Sequence, residues 1–194
     1  IQEHVIMLHD FSFKSPEEIL HGLGGSNLHG GHGAPANDMA SDNMAGMDHS
    51  KMPMVNGKMV HANDVTYDAY LTNDRTLTDP EVVAVDKGAR IRLRIINGAT
   101  ATAFWIDTGS LPSQCIATDG SKCAPFTAPI YPIAMGQRLD LIVTLPPEGG
   151  AFPIFAQVEA AEMRTGLILA TAGAQVPKLS DTADTDSANL DTNF

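Results

Sequence analysis

The sequence predicts an all-β fold, a sandwich or barrel of eight to ten short strands, over residues 64–171. Three observations support this prediction. Basic and aliphatic side chains alternate over residues 90–95 (RIRLRI), which is the period of a half-buried strand. Short segments of the same kind recur as far as residue 170. Turn pairs such as Asn97-Gly98 and Asp119-Gly120 separate them.

The elements before this region are a strand, a helix and an insertion. Residues 4–13 (HVIMLHDFSF) are largely apolar and predict the first strand. Ser15, Pro16 and Glu18 supply an N-cap, a proline at the first helical position and a capping-box glutamate, so a short helix should end near Gly22. The insertion, residues 22–61, is rich in Gly, Asn, Asp and Ser and has no strand or helix period, so we expect it to be flexible.

The later strands and the end of the chain complete the predicted organisation. Strands are predicted over residues 65–71, 81–85, 90–95, 103–107, 114–118, 138–144, 152–159 and 165–170. With 194 residues, of which 43% are hydrophobic, the chain can bury one core, so residues 1–172 should form a single domain. Residues 173–194 contain four aspartates and one lysine and predict an acidic linker or tail.

Methionine and histidine are concentrated in the insertion. Four of the nine methionines of the chain fall within it close together and bracket a histidine. Thioether sulfur prefers Cu(I) and imidazole accepts either oxidation state of copper, so this mixture favours a copper-binding segment over an inert linker. The predicted ligands are Met44, Met47, His49, Met52 and Met54, with His29 and His32 as weaker candidates.

The distribution of histidine and charge excludes several functions. All seven histidines lie in the first 61 residues, and no His-x-His pair occurs, so we expect no resident catalytic copper. No catalytic residue is predicted, because the strand region lacks a histidine to act as a base. A net charge of −11 argues against binding to nucleic acid or to an anionic membrane surface. No apolar run is long enough to span a membrane, and the first residues do not form a signal peptide.

Two other groups of residues keep alternative interpretations open. Cys115 and Cys123 flank a turn pair and should lie close together across two strands, as a disulfide, as two buried thiols or as a metal-binding pair. Arg90, Arg92 and Arg94 lie on one face of a strand. That face would either contact solvent or dock against a neighbouring domain.

Several further motifs occur together in residues 67–75, 79–82, 88–97 (GARIRLRIIN), 104–107, 117–120 and 132–140. Taken together, they resemble the middle domain of bacterial three-domain multicopper oxidases. The resemblance covers about residues 3–13 and 64–171. It implies a cupredoxin-like Greek-key sandwich that binds none of the catalytic coppers of its parent enzyme. No ligand set is transferred, because the His-x-His and His-Cys-His motifs of the family do not occur here.

The resemblance also implies partners, a cofactor and a location. The partners would be the first and third cupredoxin domains of a periplasmic or secreted parent that contains copper. That parent would couple the oxidation of phenols or Cu(I) to the reduction of dioxygen to water. Exposed interface patches would allow the isolated chain to form a homodimer. The alternative hypotheses are a free-standing periplasmic copper-binding or chaperone protein and a simple β-sandwich interaction domain.

Overall fold

The computed structural model describes residues 1–24, 54–55, 58–59 and 65–188. Two sheets face each other in a sandwich, which confirms the predicted all-β fold. The first sheet has six strands in the order β4-β1-β6-β11-β8-β9. Its strands are β1 (Gln2–Phe11), β4 (Ala69–Thr72), β6 (Arg90–Asn97), β8 (Ser113–Thr118), β9 (Ser121–Phe126) and β11 (Arg138–Thr144).

The second sheet has five strands in the order β10-β7-β12-β13-β5. Its strands are β5 (Val82–Val85), β7 (Phe104–Asp107), β10 (Tyr131–Ile133), β12 (Ala151–Val158) and β13 (Arg164–Thr171). Most neighbouring strands are antiparallel, but β1 pairs with β6, and β13 with β5, in parallel. Parallel neighbours need a long connection, so each of these pairs joins distant parts of the chain.

The core fills the space between the sheets. Alternate side chains of each strand point inward, as the strand period requires. The largest fully buried side chains are Tyr131, Phe104, Leu8, Ile91, Leu93, Ile95, Ile106, Ile133, Leu141, Leu145, Leu167 and Ile168. A buried hydrogen bond of 3.0 Å between the hydroxyls of Thr72 and Thr165 links the two sheets across this core.

The single helix in the described part of the chain is α1 (Pro16–Gly24). Its capping box is formed as predicted. The amide of Ser15 donates to Glu18 Oε2 at 2.7 Å, and the amide of Glu18 donates to Ser15 Oγ at 3.2 Å. The hydrogen bond from the Ser15 amide is the main reason that the pKa of Glu18 is lowered.

Four strands were not expected from periodicity. One of them, β9, was expected only from the turn pair between the two cysteines. β10 has only three residues with Pro132 at its centre, and it lies at the edge of its sheet, where a missing amide hydrogen is tolerated. β2 (Met54–Val55) and β3 (Lys58–Met59) form a two-residue pair within the insertion. Two residues are too few to show a period. The flexibility predicted for the rest of the insertion falls largely on residues 25–53, which lie outside the described residues.

Residues 180–188, within the predicted acidic tail, run beside the five-stranded sheet. The amide of Arg164 donates to the carbonyl of Asp181 at 2.8 Å. The indole nitrogen of Trp105 donates to the carbonyl of Ala188 at 2.6 Å. Most side chains of this segment are exposed, but its backbone is hydrogen bonded to the domain.

Among the residues that the structure describes, no helix has the length and apolar character that a membrane crossing requires.

Candidate functional site

The predicted copper ligands lie almost entirely in the part of the insertion that the structure does not describe. Met54 begins β2, whereas His29, His32, Met44, Met47, His49 and Met52 fall within residues 25–53. The copper-binding segment therefore stays a prediction from sequence.

The histidines in the described part of the chain do not form a blue or trinuclear copper centre. Such centres need several imidazoles brought together, and the last histidine of the chain is His61. His4 lies 3.3 Å from Glu81 in a hydrogen bond, and His21 is exposed in the last turn of α1. Within residues 1–24 and 65–188, no group of three or more His, Cys, Asp or Glu side chains is arranged to hold a metal ion.

The strongest polar cluster in the described part lies on the outer face of the six-stranded sheet. Arg92 donates to Asp140 Oδ2 at 2.5 Å and to Glu3 Oε1 at 3.0 Å. Arg94 lies 3.5 Å from Glu3 Oε2 and 3.8 Å from Asp140 Oδ1. Two arginines on β6 thus alternate with carboxylates on the flanking strands β1 and β11. We call these four residues the arginine network.

The arginine network is only partly open to solvent. The side chain of Asp140 is 12% exposed and that of Arg92 is 29% exposed. The hydrogen bond to Asp140 is the main reason that the pKa of Arg92 is raised, and burial opposes it. Arg92 Nε is buried and has no hydrogen-bond partner among the residues described. The network thus has a half-buried centre, formed by Arg92 and Asp140, and an exposed rim, because the side chains of Glu3 and Arg94 are 45% and 50% exposed.

Sequence reasoning identified the arginines but missed their carboxylate partners. Glu3 and Asp140 are far from Arg92 in sequence and reach it only through the strand register. Glu3 pairs with Arg92 in the parallel β1–β6 ladder, and Asp140 pairs with Arg94 in the antiparallel β6–β11 ladder. The ion pairs could have been predicted from outward-facing arginines on one strand and outward-facing carboxylates on its neighbours. That prediction requires the strand order, which the sequence does not show.

A groove of about 440 Å³ lies on the other sheet, between its edge strand β5 and the residues that follow β13. Its lining is mainly apolar: Val82 and Val176 are 46% and 45% exposed, and Ala84 and Ala174 lie beside them. The groove thus offers apolar area beside an unpaired sheet edge, which another chain could cover. Gln2 of β1 also lines the groove and donates to the carbonyl of Ala84 at 3.1 Å, so the groove reaches the edge of the six-stranded sheet.

Asp10 organises the loop between β6 and β7. Its carboxylate accepts hydrogen bonds from the amides of Thr100 and Ala101, both at 2.9 Å, and from the hydroxyl of Thr102 at 3.0 Å. Burial alone would raise the pKa of Asp10, but these hydrogen bonds outweigh it and lower the pKa. Asp10 is therefore held as an anion, and it fixes the loop at the end of β6.

The two thiols lie close together across β8 and β9, as predicted. The sulfurs of Cys115 and Cys123 are 4.0 Å apart, and no disulfide joins them in this structure. Cys115 is fully buried, whereas Cys123 is half-buried. Burial raises the pKa of the Cys115 thiol to about 11. The structure thus contains a buried thiol pair, and no third ligand of the His, Cys, Asp or Glu type joins it in the described part.

Comparison with known sequences identifies relatives of this chain. The family model for multicopper oxidases matches residues 29–175. The multicopper oxidase MmcO of Mycobacterium tuberculosis is 29% identical over 181 residues, covering 90% of this chain and 33% of MmcO. The copper resistance protein A of Escherichia coli is 29% identical over 166 residues, covering 80% of this chain and 27% of that protein. The chain thus spans about a third of the length of these relatives.

Solved structures show the same fold. Fet3p, described as a multicopper oxidase that functions in iron import, superposes with a TM-score of 0.63 at 13% identity, covering 98% of this chain and 32% of Fet3p. A laccase from Botrytis aclada gives a TM-score of 0.60 at 18% identity, covering 95% of this chain and 31% of the laccase. This likeness confirms the predicted cupredoxin-like sandwich. Because the family model covers most of its residues, the chain belongs to the multicopper oxidase family.

Proposed function

We propose that this chain is the noncatalytic central module of a periplasmic or secreted multicopper oxidase. The observation that carries the proposal is that a member of this family has no histidine after His61. The module spans about a third of its relatives, as one domain of three would. The parent would hold its coppers in the flanking domains. There it would couple the oxidation of phenols or Cu(I) to the reduction of dioxygen to water.

The structural role of the module is to space and orient its two neighbours. Two surfaces support this role: the arginine network on the outer face of the six-stranded sheet and the apolar groove beside β5. The arginine network favours a polar partner surface, because the side chains of Glu3 and Arg94 are 45% and 50% exposed and present charges that a partner could complement. The groove offers apolar contact area. Each surface would then face one neighbouring domain of the parent.

The insertion adds a capacity to capture Cu(I). Four thioethers and one imidazole within residues 44–54 can supply a three- or four-coordinate site for a soft ion. His29 and His32 are the weaker candidates in the same insertion. The captured copper would be cargo or substrate for the parent enzyme.

The size of the natural protein tests the modular role. An antibody raised against this chain should detect, in extracts of the organism that encodes it, a polypeptide about three times heavier than 20.6 kDa. Extracts made with protease inhibitors control for cleavage. A band only at the mass of the chain itself would contradict the modular role. It would favour a free-standing copper-binding or chaperone protein.

An anaerobic Cu(I) titration against a competing chelator tests the capture role. We expect tight binding to weaken at least tenfold when Met44, Met47, Met52 and Met54 are changed to alanine together. The matched control is Met163→Ala, because Met163 is an exposed methionine that lies on the sandwich. Equal binding by the fourfold variant and the control would contradict capture by the insertion.

A further inference from the structure

A second methionine–histidine pair lies on the folded sandwich, outside the insertion. Met7 and His9 are two residues apart on β1, so their side chains point to the same face of the sheet. This is the outer face, because the intervening Leu8 is fully buried in the core. Both Met7 and His9 are half-buried. Neither residue belongs to the arginine network or to the groove.

Gly98 brings the two side chains together. A methyl group added at Gly98 would lie 3.0 Å from Met7 Sδ and 3.4 Å from His9 Cε1. The thioether and the imidazole therefore both pack against the same backbone position, side by side. Any residue larger than glycine would push against the sulfur and the ring. The glycine thus leaves a shallow notch that the two donors border.

The backbone around this notch is fixed on both sides. The amide of Gly98 donates to the carbonyl of Leu8 at 2.9 Å. The amide of Met7 donates to Asn73 Oδ1 at 2.7 Å, and the amide of Asn73 donates to the carbonyl of Met7 at 2.9 Å. The two donors are consequently held on rigid strands, which lowers the conformational entropy lost when an ion binds.

A third soft donor lies in the adjacent turn. The amide of Gly136 donates to the carbonyl of Asn97 at 2.9 Å, so the turn before β11 sits beside the Gly98 loop. Met135 occupies this turn and is 49% exposed. Gly136 lacks a side chain, and a methyl group built there would meet nothing within 4 Å. The turn is therefore uncrowded at the residue next to Met135.

We propose that Met7 and His9 bind a single Cu(I) ion over Gly98, with Met135 as an additional thioether ligand. Thioether and imidazole donors together select Cu(I) over hard cations such as Mg²⁺ and Ca²⁺, which take oxygen ligands. No oxidation or reduction is needed for binding. The site depends on the folded sandwich and on no residue of the insertion. It would therefore exist even if the insertion bound no copper.

The test is an anaerobic Cu(I) titration followed by NMR of the methionine methyl groups in the full-length chain. The background variant has alanine at every methionine and histidine of the insertion and at both cysteines, so that these other soft donors are removed. The positions changed are Met39, Met44, Met47, Met52, Met54, Met59, His29, His32, His49, His61, Cys115 and Cys123. We expect one Cu(I) to bind and to shift the Met7 methyl resonance. Met7→Leu and His9→Gln should each weaken the binding at least tenfold. The matched controls, Met163→Leu and His21→Gln, should leave it unchanged.

Three outcomes would overturn the proposal. These are no shift of the Met7 methyl, binding by Met7→Leu and His9→Gln equal to that of the controls, or unaltered binding in Gly98→Ala. Circular dichroism checks that every variant keeps its sheet content. If the background variant does not fold, the Met7 methyl is followed in the unsubstituted chain, where the absence of a shift would also reject the site. If the insertion binds no Cu(I), the Met7 methyl resonance should still shift. Failure of the proposed capture role can therefore be distinguished from failure of the Met7–His9 site.

Discussion

Arg92 Nη2 lies 2.5 Å from Asp140 Oδ2, on neighbouring strands of the six-stranded sheet. A second pair, Arg75 and Asp79, has the same separation of 2.5 Å but lies in an exposed turn. The aspartate side chain is 12% exposed in the first pair and 82% exposed in the second. A comparison of the two pairs therefore shows how burial changes the strength of an ion pair at a constant distance.

Loss of the carboxylate at Asp140 should destabilise the domain. We expect Asp140→Ala to lower the free energy of unfolding by about 2 kcal/mol, because a half-buried guanidinium loses a charged hydrogen-bond partner. The matched change Asp79→Ala should cost less than about 0.5 kcal/mol, as is usual for exposed ion pairs. Urea unfolding followed by circular dichroism measures both values. Equal losses would show that burial does not strengthen the Arg92–Asp140 pair.

The anchoring of the loop by Asp10 should depend on pH. Hydrogen bonds lower the pKa of Asp10 in the folded state. Its stabilising contribution is therefore fully present above the unfolded pKa of about 3.9 and is lost as pH falls through the lower folded value. We expect Asp10→Asn to lower the free energy of unfolding by about 1 kcal/mol between pH 5 and pH 7.

The difference in the free energy of unfolding between the original chain and Asp10→Asn should then become smaller below about pH 4. Unfolding titrations at a series of pH values measure it, with Asp86→Asn, at an exposed position, as the control. A difference that stayed constant down to pH 2, or grew on acidification, would mean that the Asp10 carboxylate does not hold the loop.

The two thiols should differ in reactivity. Cys115 is fully buried and its pKa is raised to about 11, so its thiolate is scarce at pH 8. We expect a brief treatment of the native chain with iodoacetamide to alkylate Cys123 at least tenfold faster than Cys115. Mass spectrometry of peptides locates the label, and the chain unfolded in urea should react at both positions. Failure of either thiol to react before a reductant is added would reveal a disulfide instead.

The end of the chain should shield its single tryptophan. The Trp105 side chain is 7% exposed and donates to the carbonyl of Ala188 at 2.6 Å. Removal of residues 179–194 should shift the tryptophan emission to longer wavelength and lower the free energy of unfolding by about 1–2 kcal/mol, because several hydrogen bonds are lost. Removal of residues 189–194 alone is the control. An unchanged emission spectrum after the longer deletion would place the segment away from Trp105.

Local patterns predicted the elements well. The alternation over residues 90–95 gave β6, and the Ser15–Glu18 capping box gave the start of α1. The strand predicted over residues 138–144 coincides with β11. Each of these signals is contained within one segment of the chain, so no knowledge of the tertiary structure was needed.

The contacts between segments could not be predicted in the same way. The partners of Arg92 are set by the parallel register of β1 against β6, which no local pattern encodes. The spacing of Met7 and His9 is local, but the position of Gly98 beside them likewise depends on that register. β10 was missed because a three-residue strand centred on proline has neither length nor propensity to identify it.

The antiparallel pairing of Phe11 with Ala69 closes a loop that contains the whole insertion. The entropy cost of closing a flexible loop grows only with the logarithm of its length, at about 0.6 kcal/mol for each doubling. Halving or doubling the sequence between these two residues would thus alter the stability of the sandwich little. The number and spacing of its methionines can consequently change by insertion and deletion during evolution while the sandwich keeps its fold.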